Sequence, residues 1–420
     1  MAKQGGNPFW RHVVALFAGS GASQAIALLA VPFLTKLYGP EQYGTFAAFI
    51  SMALIVGIIS SGRYDMAILL PEEDRDGASL VALSLGLTAV SAALAGWAVS
   101  VWPVQICTML NNMDLLAWLP FLPLAIFLCG ANQVLEGWAN RKARYKRMSA
   151  GRLLVVLLTV AIQLSLGAKG VDGGLMIGSL VGQTTCVAVL TALTLFHDDI
   201  ATLVRKGLPR LPEMAKTYKS HPAFLVPSHG AGVVYSQLPV LFISAMFGKA
   251  AAGWYGLAMR MVTLPTLTLA NSVGSVYRQH AAEAYRKTGE FLALFKKTLS
   301  STAVLSIVPF LCLVMFIDDV VVWILGERWK EAGELAQILG ILGWVGFFST
   351  PVDKGAIIVG KMGYIICWHA LRLLCLMVAF HYCSLSDPGL GKMVATLSAV
   401  GIIFYLVDVY FEYVFAKGDR

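Results

Sequence analysis

Apolar residues along this chain fill blocks of about twenty positions, separated by short polar turns, rather than alternating or marking one helical face. A block of that length crosses a hydrocarbon layer of ~30 Å as a helix, which satisfies its own backbone in lipid. Twelve such blocks are read, at 12–34, 44–61, 78–101, 115–135, 151–168, 174–196, 223–247, 254–277, 298–325, 333–358, 362–384 and 390–415. The expectation is an all-α integral membrane fold. Short alternating strands, the mark of a membrane barrel, are not found in the sequence. The first block is as long as the others and is followed by more spans, so it reads as a retained span rather than a cleaved leader.

The sharpest break in the pattern is Gly62–Asp76, GRYDMAILLPEEDRD, where the second block gives way to charge. Arg63-Tyr64-Asp65 either marks the water boundary or lines a polar cavity. On a continuing α-helix, residues two apart point to different faces, so Arg63 and Asp65 should not simply neutralise each other. Glu72, Glu73, Asp74 and Asp76 read as a solvated turn. The longest connection, about 197–222, divides the chain into halves of six spans, 1–210 and 211–420. These halves echo each other: Gly39 and Gly44 precede the second span as Gly248 and Gly253 precede the eighth, 209 positions later. With an even number of spans per half, the expected repeat is parallel, a pseudo-two-fold about the membrane normal.

Composition agrees with the pattern. The chain is 57% hydrophobic and 13% charged with a mean hydropathy of +0.71, against about 25% charged in soluble domains. In a membrane chain the net charge of +8 is read by placement, so nucleic acid is not the expected partner. With a cytoplasmic amino terminus, only Lys36, Lys169, Lys249, Arg328, Lys330 and Lys392 fall outside, and Arg260 and Arg372 fall within spans; the other 24 of 32 basic residues are inside. Both termini are therefore expected in the cytoplasm. The basic run Arg141–Arg152 reads first as a topology signal and anchor for anionic lipids. None of the seven cysteines forms a CxxC, so neither zinc nor disulfides are indicated.

Charge inside the spans is the candidate chemistry. Arg372 lies nine residues past Gly363, ~13 Å into its span, where an arginine needs a partner or a watery cavity. His369 shares its face. A guanidinium fork suits phosphate oxygens; a structural ion pair or backbone clamp is the alternative. Arg260 either snorkels or faces a cavity, Lys36 is an interfacial anchor or a cavity cation, and Arg63 completes the cationic set. Asp65, His229, Tyr235 and Gln237 are polar cavity candidates, with helix packing as the plain reading of the last three. Pro32, Pro227, Pro239, Pro265 and Pro351 permit kinks. Glu136, Asp353 and Asp408 are the acids considered for ion coupling, all toward cytoplasmic ends, so coupling to proton, sodium or membrane potential stays open. No cofactor, metal or catalytic residue is indicated.

Four stretches in register, LTKLYGPEQYGTF (Leu34–Phe46), RYDMAILLP (Arg63–Pro71), ANRKARYKRM (Ala139–Met148) and LGERWKEAGELAQIL (Leu325–Leu339), resemble the oligosaccharide repeat-unit (Wzx-like) flippases of the multidrug/oligosaccharidyl-lipid/polysaccharide exporter superfamily. The resemblance implies two six-helix lobes around a central cavity with alternating access. It also implies an undecaprenyl-type, pyrophosphate-linked oligosaccharide as substrate, moved to the periplasmic leaflet for O-antigen (lipopolysaccharide), capsule or exopolysaccharide assembly. A monomer is expected, with glycan polymerase or chain-length machinery as a further partner. Asp65 stands where many relatives carry Glu, one methylene longer. A cation-coupled multidrug exporter, which would want a buried carboxylate, is the alternative. A membrane polymerase or ligase would need an external catalytic loop, and the connection 103–114 (PVQICTMLNNMD) offers one acid and no basic residue.

Overall fold

The structure is a computed structural model describing residues 23–386 and 388–418. Residues 12–22 of the first expected span lie outside this range, as do Lys3, Arg11 and Arg420. Helix is the regular secondary structure throughout the described residues. Ser23–Leu37 (α1), Pro40–Gly57 (α2), Asp74–Val101 (α3), Leu122–Arg141 (α4), Tyr145–Ala168 (α5) and Gly174–Asp198 (α6) are followed by two short helices, Ile200–Gly207 and Leu211–Thr217. Val226–Pro265 (α7), Asn271–Thr288 (α8), Leu292–Leu325 (α9), Lys330–Ser349 (α10), Met362–Ser386 (α11) and Leu390–Ala416 (α12) complete the chain. Nine stretches among the described residues are long and apolar enough to span a membrane, and His221–Leu264 among them contains the seventh expected span and the first part of the eighth in 44 residues. Gly248 interrupts that helix with φ 83 and ψ 177. This is a multi-pass membrane protein.

The chain forms two compact units, Met1–Tyr38 with Thr45–Leu241, and Gly39–Gly44 with Phe242–Arg420. In the first, Tyr38 ends α1 and is buried, and its hydroxyl donates to the Gln163 carbonyl of α5 at 2.7 Å. Gly174 is required there, because a Cβ would stand 1.9 Å from the Tyr38 hydroxyl oxygen.

Past α2 the chain makes two left-handed residues in succession, Gly62 (φ 60) and Arg63 (φ 57), then a 3-10 turn, Tyr64–Leu69. A non-glycine residue in this region costs about 1–2 kcal/mol and persists only where its surroundings hold it. Four hydrogen bonds do so. The Arg63 guanidinium donates to the Ile58 carbonyl (3.1 Å) and to Gln133 Oε1 (2.8 Å), and its backbone N–H donates to Ser61 Oγ (3.2 Å). Ser61 Oγ in turn donates to Asp65 Oδ1 at 2.6 Å. Because this segment is not α-helical, Arg63 and Asp65 come within 3.8 Å, contrary to the helix-based expectation that they diverge. Tyr64 turns the other way and donates to the Ala215 carbonyl (3.0 Å). It packs with Ile68, Trp138, Ile200 and Met214, so the connection between the halves lies docked on the first unit.

In the basic run after α4, Arg141, Lys142, Arg144 and Arg152 have acidic partners within the protein. Arg141 donates to the carbonyls of Ile68, Pro71 and Glu72 and pairs with Asp74 at 3.0 Å. Lys142 pairs with the same Asp74, Arg144 with Asp198, and Arg152 with Glu136. Asp76 accepts both Arg210 contacts, at 2.8 and 2.9 Å. Asp74 and Asp76 are thus folded partners of these cations, while Glu72 and Glu73 are exposed as expected of a solvated turn. Arg141→Lys keeps the charge but loses the planar fork that reaches three carbonyls at once. The 68–76 segment of that variant is expected to exchange its amides at least tenfold faster, read by hydrogen–deuterium exchange in detergent.

In the second unit the glycines of the internal echo take up separate tasks. Gly44 and Gly253 press together: a Cβ on Gly44 would stand 1.6 Å from the Lys249 carbonyl oxygen, and one on Gly253 2.0 Å from that of Pro40. Lys249 and Glu41 pair beside them at 2.9 Å, and Tyr43 packs edge-on against the buried Trp329. At the far end of α12, Glu412 is buried and accepts the N–H groups of Gly355 (2.6 Å) and Ala356 (3.4 Å), capping the short helix that follows α10. A carboxylate at a helix N-terminus satisfies otherwise orphaned donors.

Candidate functional site

Within the first unit, α1, α2, α4, α5 and α6 line an open cavity of about 770 Å³. Each helix contributes positions at helical spacing: Ile50 and Leu54 from α2, Cys129, Asn132, Gln133 and Glu136 from α4, Arg152, Val155 and Val156 from α5, and Gln183 and Cys186 from α6. Ser23 and Gln24 of α1 complete the wall, and Arg63 reaches it from the left-handed turn. Apolar walls with a few converging polar groups are the usual form of a small-molecule site.

The polar groups divide by how far they are already engaged. Glu136 and Arg152 form a bidentate pair across the α4–α5 hairpin, Nε to Oε1 at 2.9 Å and Nη2 to Oε2 at 2.7 Å. The Arg152 side chain keeps 39% of its exposure, so part of its guanidinium remains open to the cavity. Arg63 is only 9% exposed and is held by Ile58, Gln133 and Met66. Gln133 is consumed in positioning Arg63, since its amide nitrogen donates to the Gly57 carbonyl at 3.1 Å. Asp65, bound to Ser61, lies behind Arg63 and does not line the cavity. The lining therefore carries two guanidiniums and one carboxylate, Glu136, and that carboxylate is already occupied on both oxygens.

A family profile described as polysaccharide biosynthesis protein matches residues 33–334, well over half of the sequence. The chain belongs to the polysaccharide biosynthesis protein family. Among curated proteins none matches it. Among solved structures, this family member is similar to the lipid II flippase MurJ in an inward closed conformation, with a TM-score of 0.71, 12% identity, and coverage of 96% of this chain and 90% of that one. It is similar to an inward-facing multidrug resistance MATE family transporter of the MOP superfamily, with a TM-score of 0.69, 14% identity, and coverage of 93% and 94%. A third match, at a TM-score of 0.61, 14% identity and coverage of 96% and 95%, is a MOP superfamily transporter from Pyrococcus furiosus whose binding pocket is described as reversed in polarity. At these identities the likeness establishes the fold, that of the MOP superfamily transporters.

The remaining candidates of this polysaccharide biosynthesis protein are spread over both units. Lys36 is exposed near the end of α1. His229 and Tyr235 are half-buried in α7, and Gln237 Oε1 accepts the Ser51 hydroxyl of α2 at 3.1 Å. In the second unit, Arg260 is half-buried on α7. The Arg372 guanidinium sits 4.9 Å over the Tyr405 ring, within the electrostatic reach of Asp353 and Asp408, with half-buried His369 three residues earlier on α11. Asp408 accepts the Tyr364 hydroxyl at 2.6 Å. Of the nine candidates, the structure brings together Arg63 and Asp65 in the first unit and places Arg372 beside His369 in the second. Asn132, Gln133, Arg152 and Gln183 were missed. The signal for the α4 pair was present: Asn132, Gln133 and Glu136 interrupt an apolar helix on one face at spacings of three and four.

Proposed function

We propose that this protein is a flippase that carries polyprenyl-pyrophosphate-linked oligosaccharide repeat units across the inner membrane, from the cytoplasmic to the periplasmic leaflet, for cell-surface polysaccharide assembly. The supporting observation is the state of charge in the first-unit cavity. Its carboxylate is already neutralised by Arg152 and its balance is positive. A lipophilic cation would find no unengaged acid among the described lining residues, which disfavours the multidrug alternative. A glycan on an anionic lipid meets neutral hydrogen-bonding groups and no repulsion. Family membership in polysaccharide biosynthesis supports the same substrate class. Arg372 and Arg260 of the second unit remain the proposed ligands for the pyrophosphate, by the affinity of guanidinium groups for phosphate oxygens. The test is depletion of the protein in a cell that makes its surface polysaccharide: lipid-linked oligosaccharide should accumulate on the cytoplasmic leaflet, inaccessible to an external glycosidase. Unchanged surface polysaccharide with no such accumulation would refute the proposal.

A further inference from the structure

The first-unit cavity has a more specific chemistry than a general cationic site. Its two guanidiniums are largely spent, Arg152 on both Glu136 oxygens and Arg63 on Ile58 and Gln133. Pyrophosphate only accepts hydrogen bonds and carries several negative charges, so a clamp for it needs uncommitted cations. What the cavity leaves available is mostly amide. The Gln24 side chain makes no hydrogen bond among the described residues. Gln183 uses its Nε2 on Ser179 Oγ (3.2 Å), which leaves its carbonyl oxygen. Asn132 Oδ1 takes the Cys186 thiol (3.2 Å), which leaves its amino group. Amides both donate and accept, as sugar hydroxyls do.

We propose that this cavity is a glycan subsite: it receives the sugar moiety of the lipid-linked substrate, while the pyrophosphate is bound outside it. The assignment rests on the flippase reading above. Asn132, Gln183 and Gln24 are the sugar-recognising side chains, set on three different helices. The open part of Arg152 adds a donor that Glu136 holds in place. A volume of about 770 Å³ falls within the roughly 300–1,000 Å³ of ligand sites.

Binding to the full chain in lipid nanodiscs tests this with two probes, bare polyprenyl pyrophosphate and the lipid-linked oligosaccharide extracted from the cell that makes the polysaccharide. Asn132→Leu and Gln183→Leu should each weaken the glycosylated lipid about five- to tenfold, the loss of one hydrogen bond. Val156→Trp, which fills the cavity from another wall, should do the same or more. Bare polyprenyl pyrophosphate should bind each variant within about twofold of the parent, which also shows that the variants are folded. Equal weakening of both lipids, or no weakening of either, would overturn the glycan subsite and leave the flippase reading standing. If the parent chain bound neither lipid better than ordinary phospholipid, both readings would fall.

Discussion

Arg63→Ala is expected to reduce glycan export more than tenfold and to lower stability by about 3 kcal/mol, because it removes one partner of a buried charge pair and orphans its acceptors. Asp65 would lose its cation at 3.8 Å, and Gln133 Oε1 and the Ile58 carbonyl their donor. Arg63→Gly separates the two roles of this residue. Glycine adopts φ 57 without steric cost and so recovers about 1 kcal/mol of backbone strain, yet it loses the guanidinium. It should be more stable than the alanine variant in a thermal-shift assay and equally poor in export. If Arg63→Gly exported normally, the turn's shape would be what matters and the guanidinium's hold on Ile58 and Gln133 would not.

The largest expected effect on folding comes from the glycine contact. Gly253→Val should abolish the yield of monodisperse protein, and Gly44→Ala should come close to it. In both cases the obstructing atoms are backbone carbonyls, 2.0 and 1.6 Å from the added Cβ, which no rotamer change can move aside. Overpacking ordinarily costs about 1–3 kcal/mol, and a clash against two backbones belongs above that range. Gly39→Ala is the internal control, since nothing lies within 4 Å of its Cβ position; its yield and melting temperature should match the parent. Size-exclusion chromatography of the detergent-solubilised variants decides between these outcomes.

These glycines also show how far the sequence could be read. The spacing of Gly39/Gly44 and Gly248/Gly253 marked a repeat, but nothing in the spacing said that Gly44 and Gly253 would touch, that Gly248 would break a helix or that Gly39 would be unconstrained. The spans themselves were legible because a block of apolar residues has one solution in lipid. Charge pairing was not, because it depends on how the chain turns between spans. Arg63 and Asp65 meet only because two left-handed residues precede a 3-10 turn. Arg152 and Glu136, sixteen positions apart, face each other only once the α4–α5 hairpin has closed. Hence in the basic run read as a lipid anchor, Arg141, Lys142, Arg144 and Arg152 also pair with acids of the fold, and one of those pairs lines the cavity. The α4 face of Asn132, Gln133 and Glu136 was readable in principle; polar residues at helical spacing in an apolar span are scarce and expensive.

Transbilayer movement measured directly is the decisive observation. Purified protein in liposomes, loaded on one leaflet with fluorescent polyprenyl-pyrophosphoryl oligosaccharide, should speed the appearance of that lipid on the opposite leaflet well above protein-free liposomes. It should leave the efflux of a lipophilic cationic dye unchanged. Movement of the oligosaccharide lipid no faster than in protein-free liposomes, together with accelerated dye efflux, would contradict the account.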